Sequence, residues 1–239
     1  VAIVVPATAQ DLTGAGATFP NPMYSKWFSD YAAKTNVKIN YQSIGSGGGV
    51  RQISDQTVDF GASDGPMSDD ELSKAKGGAL FHIPTVMGAD VVGYNLPNFK
   101  GTLKLSGDVI ADIFLGKITK WNDRRIAATN KGALLPNQDI LVVHRSDGSG
   151  TTYIWTDYLS AVSKDWAAGP GKGKDVKWPV GLGAKGNEVV AVQVKHLAGS
   201  IGYVELIYAR QNRIIYASAK NSPCAFIDAT ISGFTAAAA

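Results

Sequence analysis

Eight consecutive positions, Arg145-Ser146-Asp147-Gly148-Ser149-Gly150-Thr151-Thr152, hold a permanent cation, a carboxylate, four hydroxyls and two glycines. The guanidinium of Arg145 is a forked donor that suits the oxygens of a phosphate-like anion. Asp147, two residues on, is placed to hold that fork in position. Hydroxyls donate to the same oxygens, and glycines let an anion approach the backbone closely. The chemistry such a set can do is the cradling of an oxyanion. Alone, the stretch also fits an ordinary polar turn with a surface arginine and a helix cap, because short glycine motifs recur by chance. What weighs against that reading is that the chain makes similar turns twice more.

The elements around the stretch give it its geometry. Ile140-Leu141-Val142-Val143 reads as a buried strand leading in, and Ile154, Trp155, Tyr158, Leu159 and Val162 follow at helical spacing. A helix is therefore predicted to start near Ser149 or Gly150, presenting amides that have no internal partner at its positive end. Upstream, residues 11–16 form a short strand, and Tyr24, Trp27, Phe28 and Tyr31 recur at i, i+3, i+4 and i+7. Pro20 or Pro22 suits the first turn of that helix, which puts Thr18 at its N-terminus as a cap or as an anion donor. A second strand over 37–43 runs into Gly45-Ser46-Gly47-Gly48-Gly49 and a short helix carrying Val50 and Ile53. No Lys-Ser or Lys-Thr follows those glycines, and the third glycine of a dinucleotide fingerprint is missing, so nucleotide machinery is excluded there. A third strand over 58–62 ends in a turn holding Asp64, which taken alone is a common turn residue. Ser68 and Glu71 form a capping-box pattern.

The rest of the chain reads as scaffold. Residues 81–94 are apolar and extended, long enough for a strand crossing between two lobes. Ser106 is expected to cap a helix through Val109, Ile110, Ile113 and Phe114, ended by Gly116. A glycine- and lysine-rich loop over 169–175 precedes a helix at 189–197, a strand at 200–205 and a short helix at 206–211. Residues 212–239 show little pattern and are expected to form an irregular tail.

At 239 residues and 45% hydrophobic, the chain can bury a sizeable core, and its low charged fraction of 18% with 27 glycines favours a compact α/β protein. A net charge of +3, spread without a basic run, points to neither nucleic acid nor an anionic membrane. The single cysteine, Cys224, excludes an internal disulfide, and the three histidines show no metal-ligand spacing, so no cofactor or metal is expected. Residues 1–10 are apolar and then small, with Ala7-Thr8-Ala9 matching a signal-peptidase site though without a basic start; they read as the end of a secretory signal, a first buried β-strand being the alternative. The protein is expected to be exported and soluble.

Taken together, Gly14-Ala15-Gly16-Ala17-Thr18-Phe19-Pro20, Ile44-Gly45-Ser46-Gly47-Gly48-Gly49-Val50, Asp59-Phe60-Gly61-Ala62-Ser63-Asp64 and Arg145-Ser146-Asp147-Gly148-Ser149-Gly150-Thr151 resemble the periplasmic phosphate-binding proteins of bacterial phosphate ABC importers. So do residues 113–121, Trp178-Pro179-Val180-Gly181-Leu182-Gly183 and residues 199–205, in the same order over about 11–211. The resemblance implies a type II periplasmic binding protein fold, with two α/β lobes closing on one inorganic phosphate, and a membrane permease as partner. It implies Thr18, Phe19, Ser46 and Asp64 as ligand contacts in one lobe, and Arg145, Ser149, Gly150 and Thr151 in the other, with Asp147 orienting Arg145. The lobes are expected over 11–85 and 86–239. In the family the chain returns to the first lobe, and nothing after Lys220 resembles that return. Either the chain is a fragment or its end is unusual; on the fragment reading the first lobe is incomplete and leaves Phe60, Ile83 and Val86 uncovered.

Asp64 sets the expected selectivity. A carboxylate among donors repels an anion unless the ligand still carries a proton to give it, which phosphate does at neutral pH and sulfate does not. Two other readings are weighed: a phosphatase-like esterase, and a binder of another oxyanion such as sulfate. No histidine is obviously paired with Ser46 or Ser149, so the sequence reads as a binder and not an enzyme, acting in the periplasm as a monomer.

Overall fold

The structure, a computed structural model, describes residues 11–221 and 225–238. The signal-like start at 1–10 and Cys224 lie outside the described residues. β1 (Leu12–Gly16) leads into α1 (Asn21–Thr35), β2 (Ile39–Ser43) into α2 (Ser46–Ser54), and β3 (Phe60–Ala62) into the short α3 (Asp69–Ser73). These strands pair in parallel in the order β2-β1-β3, an arrangement that requires crossovers, here α1 and α2.

Residues 79–89 then run without regular structure to β4 (Asp90–Tyr94). β5 (Lys104–Leu105), α4 (Gly107–Phe114), α5 (Arg124–Thr129), β6 (Leu141–Arg145), α6 (Gly150–Val162) and α7 (Lys164–Ala168) follow. Next come β7 (Leu182–Ala184), α8 (Gly186–His196), β8 (Ser200–Glu205) and α9 (Leu206–Asn212). The last described elements are β9 (Ile215–Tyr216), β10 (Ser218–Lys220), β11 (Phe226–Ile227) and α10 (Ile231–Ala238). A five-stranded sheet has the order β7-β6-β8-β4-β9, with β6, β7 and β8 parallel and β4 antiparallel to both its neighbours. A small sheet, β11-β10-β5, flanks it. The architecture is α/β. No helix among the described residues is long and apolar enough to cross a membrane.

Burial is uneven between the sheets. The five-stranded sheet is covered on both faces, as parallel strands require. On one side pack Phe114, Trp121, Trp155, Trp166 and Tyr203; on the other, Val143, Val190, Val194, Val204 and Tyr208. The three-stranded sheet buries only the cluster Ala17, Tyr24 and Ala62, with Phe28, Tyr41 and Val86 packed partly against it.

Three expectations need correction. The predicted strand over 81–94 is a strand only at its end, because Pro84 cannot donate to a ladder and no strand pairs with residues 79–89 among the described residues. Phe81, Ile83 and Met87 consequently stand exposed, while Phe60 and Val86 are half-buried. The described residues after 212 are not an irregular tail: β9 extends the five-stranded sheet, β10 pairs with β5, and Phe234 of α10 packs against the Val190 cluster. Strands of two or three residues are too short to show alternation in sequence. Finally, Ser106 precedes α4 without a side-chain cap bond, whereas the Ser68–Glu71 capping box forms in both directions.

Candidate functional site

Four strand-to-helix turns meet at the carboxyl ends of the two parallel strand sets, where open α/β sheets present free helix amides. They are the turns from β1 to α1, β2 to α2, β6 to α6 and β7 to α8. Thr18, Ser46, Arg145, Ser149 and Thr151 are each at most 2% exposed there. For polar groups such burial is costly unless each finds a partner.

The second-lobe half is built on Arg145, the last residue of β6. Its Nε donates to Asp147 Oδ1 at 2.7 Å and its Nη2 to Asp147 Oδ2 at 2.5 Å, a two-point fork. The Gly186 amide donates to the same Oδ1 at 3.0 Å. Burial opposes the charge on Asp147, but the Arg145 fork and that amide hold its carboxyl below the usual range. The Arg145 amide donates to the Tyr203 hydroxyl at 3.1 Å, which fixes the residue from behind. Ser149 is the N-cap of α6; its oxygen accepts from the Thr152 amide at 3.0 Å, leaving its own hydrogen to donate.

The first-lobe half closes directly onto this. The Gly47 amide, in the first turn of α2, donates to Gly148 O at 2.8 Å. Gly45 adopts φ 88°, and a Cβ there would meet Asp147 Oδ2 at 2.3 Å, so only glycine fits. Ser46 Oγ accepts from the Asp64 amide at 3.2 Å. Thr18 is not the cap of α1: Pro20 takes the N-cap position, and Thr18 Oγ1 instead accepts from Arg145 Nη1 at 3.4 Å and from Asn187. Phe19, half-buried, follows Thr18 and walls the hollow beside Asp64. Lys174 pairs with Glu71 at 3.1 Å across the same junction.

Asp64 lies over the start of α6, so close that a Cβ on Gly150 would meet its side chain at 2.5 Å. The Thr151 hydroxyl donates to Asp64 Oδ2 at 3.2 Å, while Asp64 Oδ1 is buried with no partner among the described residues. Burial pushes the Asp64 carboxyl up to about 6, with the Arg145 charge and Thr151 pulling the other way. Behind it, Asp90 and Glu205 are cross-strand partners at the end of β4 and β8. Burial raises Glu205 to about 7, and raises Asp90 strongly with added repulsion from Asp64 and Glu205. These three carboxylates line a cavity of about 910 Å³ together with apolar side chains that include Phe60, Ile83, Met87 and Ile154. Arg145, Ser149 and Thr151 do not line it. The hydrogen-bonded cluster, not this hollow, carries the anion-compatible chemistry.

Asp64 and Glu205 bind protons more tightly in the folded than in the unfolded chain. Stability of the unliganded protein should therefore fall as pH rises through 6 to 7 and return on acidification, a window above the titration of lowered groups such as Asp147. Between pH 7.5 and 5.5 we expect a gain of about 1 kcal/mol from Asp64 and about 2 kcal/mol from Glu205, or several degrees in Tm. Asp64→Asn should remove its share. A Tm that is flat or rising with pH over this range contradicts the raised carboxyls.

Several residues of the cluster escaped the sequence reading: Asn187, Gly186, Tyr203, Asp90 and Glu205. Gly186-Asn187 follows a strand and opens a helix, the same grammar as the other three turns, but the strand is only three residues long and shows no alternation in sequence.

Residues 4–235 match the PBP superfamily domain. Over 232 residues the chain is 55% identical to the phosphate-binding protein PstS of Pasteurella multocida, covering 97% of this chain and 67% of that protein. With the phosphate-binding protein PstS of Haemophilus influenzae it shares 52% identity, covering 97% and 69%. The chain thus spans about two thirds of the length of these relatives. Among solved structures, a high-affinity periplasmic phosphate-binding protein designated PfluDING, bound with phosphate, superposes with a TM-score of 0.72 at 22% identity, covering 95% of this chain and 67% of that one. A phosphate-binding protein from Stenotrophomonas maltophilia does so with a TM-score of 0.62 at 22% identity, covering 82% and 60%. At that identity the structural likeness establishes the fold, that of periplasmic binding proteins.

Proposed function

This chain belongs to the PstS family of phosphate-binding proteins within the PBP superfamily, and on that premise we propose that it binds one inorganic phosphate between its two sheets and passes it to the membrane permease of an ABC importer. On this reading residues 11–85 contribute to one lobe and 86–239 to the other, and the protein works in the periplasm as a monomer without a cofactor. Thr18, Phe19, Ser46 and Asp64 meet the anion from one side, and Arg145, Ser149, Gly150 and Thr151 from the other, with Asp147 steadying Arg145.

The observation that carries the proposal is the partnerless Oδ1 of Asp64 in a cluster that otherwise offers donors. Two of the five N–H bonds of Arg145 are not committed to Asp147 or Thr18, and the hydroxyl of Ser149 has its hydrogen to give. An oxyanion with one remaining proton satisfies both the donors and the lone acceptor. Sulfate leaves the carboxylate unpaired in a dehydrated site, which costs several kcal/mol, or on the order of a thousandfold in affinity. Binding, and not hydrolysis, is supported by the state of His144. Its Nδ1 donates to Arg145 O at 2.9 Å and its ring stacks on Trp178, so it activates no serine.

Isothermal titration of the protein with inorganic phosphate tests the proposal. We expect one site per chain with affinity in the micromolar range or tighter, about −8 kcal/mol. Phosphate release from an aryl phosphate in the same preparation would overturn the binder reading in favour of an esterase.

A further inference from the structure

We propose that Asn187 is a positioning residue that sets the direction of the hydrogen bonds in the phosphate site, forcing the hydroxyls of Thr18 and Thr151 to act as donors. The inference rests on the reading of this cluster as a phosphate site, and goes beyond it by assigning a role to a residue that touches no ligand in that reading.

The orientation of the Asn187 amide is fixed without ambiguity. Its Oδ1 accepts from the backbone N–H of Glu205 at 3.0 Å, and a backbone N–H can only donate. The Nδ2 group must therefore face the other way. There it donates to Thr18 Oγ1 at 2.8 Å and to Thr151 Oγ1 at 3.1 Å, one hydrogen to each lobe. The Asn187 backbone N–H also donates to Thr18 Oγ1 at 3.2 Å, and Arg145 Nη1 approaches the same atom at 3.4 Å.

A hydroxyl has two lone pairs and one hydrogen. With N–H groups converging on it, Thr18 Oγ1 has its lone pairs engaged and only its hydrogen left to offer. Thr151 Oγ1, accepting from Asn187, sends its hydrogen to the acidic side of the site, where Asp64 Oδ2 now takes it. Free threonine hydroxyls rotate, and either end of the dipole can face a ligand. Asn187, fully buried at the start of α8, removes that choice. An anion then meets hydroxyls already set as donors, Thr18 with its hydrogen free and Thr151 with its hydrogen on Asp64, which lowers the cost of organising the site.

Phosphate titration calorimetry on the full chain tests this, with thermal melting to check each variant's fold. Asn187→Ala frees both hydroxyls and should weaken phosphate binding about tenfold. Asn187→Asp is nearly isosteric and still accepts the Glu205 amide. Its carboxylate, however, draws both hydroxyl hydrogens toward itself, and we expect a loss of at least about a hundredfold. A merely structural role predicts the opposite order, with the cavity-forming alanine the worse of the two. In a Thr18→Val background, the further loss from Asn187→Ala should shrink to about twofold, because, of the two hydroxyls it acts through, the one with its hydrogen free for the anion is gone. An unchanged penalty in that background, or an aspartate that binds better than alanine, overturns the proposal. Should Asn187→Ala fail to fold, Asn187→Ser replaces it in the same comparison. If the unaltered protein does not bind phosphate, the functional reading falls; if it binds and the cycle is additive, only the role of Asn187 falls.

Discussion

Replacing Arg145 with glutamine should weaken phosphate binding by about thirtyfold or more and also lower the melting temperature, and the two effects should be separable. Arg145 is 2% exposed and is the one guanidinium aimed into the cluster of hydroxyls and helix amides described above. Losing a buried, charge-assisted contact to an anion costs about 2 to 5 kcal/mol, or roughly 30- to 4,000-fold in affinity. The stability loss has a different origin. Without Arg145, Asp147 is left as a buried carboxylate whose remaining partner is an amide, and orphaning such a charge costs about 3 to 5 kcal/mol. The double variant Arg145→Gln, Asp147→Asn should therefore recover most of the melting temperature and none of the binding. If instead the double variant regains phosphate affinity along with its stability, Arg145 serves as a strut and the anion sits elsewhere.

The second large effect is on selectivity. Asp64→Asn keeps the size of the side chain and still lets Thr151 donate to its oxygen, but it replaces the partnerless acceptor with an N–H donor. Phosphate should bind equally well or more weakly, because its proton loses its acceptor. Sulfate should gain most of the roughly thousandfold penalty that the unpaired carboxylate imposes. Sulfate affinity that stays negligible in this variant would show that shape or some other group excludes it.

How much of this was legible in the sequence depended on distance along the chain. The three turns at Thr18, Ser46 and Ser149 stood out because an apolar strand, glycines and an amphipathic helix follow one another within some twenty residues. The Arg145–Asp147 fork was legible for the same reason, being two residues apart at the end of a strand. Asn187 was not, because its turn follows a strand of three residues, Leu182–Ala184, too short to show alternation. Asp90 and Glu205 were invisible for another reason. Their pairing is a matter of strand register between β4 and β8, and no local pattern encodes which distant strand a carboxylate will face. The failure at residues 79–89 is complementary: the composition there is that of a strand, but a strand needs a neighbour, and none pairs with it among the described residues. The apolar pattern reported a surface that wants covering, not a ladder.

The central claim is that a phosphate sits over the start of α6 and gives its proton to Asp64. A crystal structure of the protein grown with inorganic phosphate tests this most directly. The account predicts one phosphate within hydrogen-bond distance of Asp64 Oδ1, of the Arg145 guanidinium, of the hydroxyls of Thr18, Ser46, Ser149 and Thr151, and of the amides of Phe19 and Gly150. A phosphate bound in the apolar hollow beside Ile83, or one held by Arg145 with Asp64 turned away from it, would contradict the account.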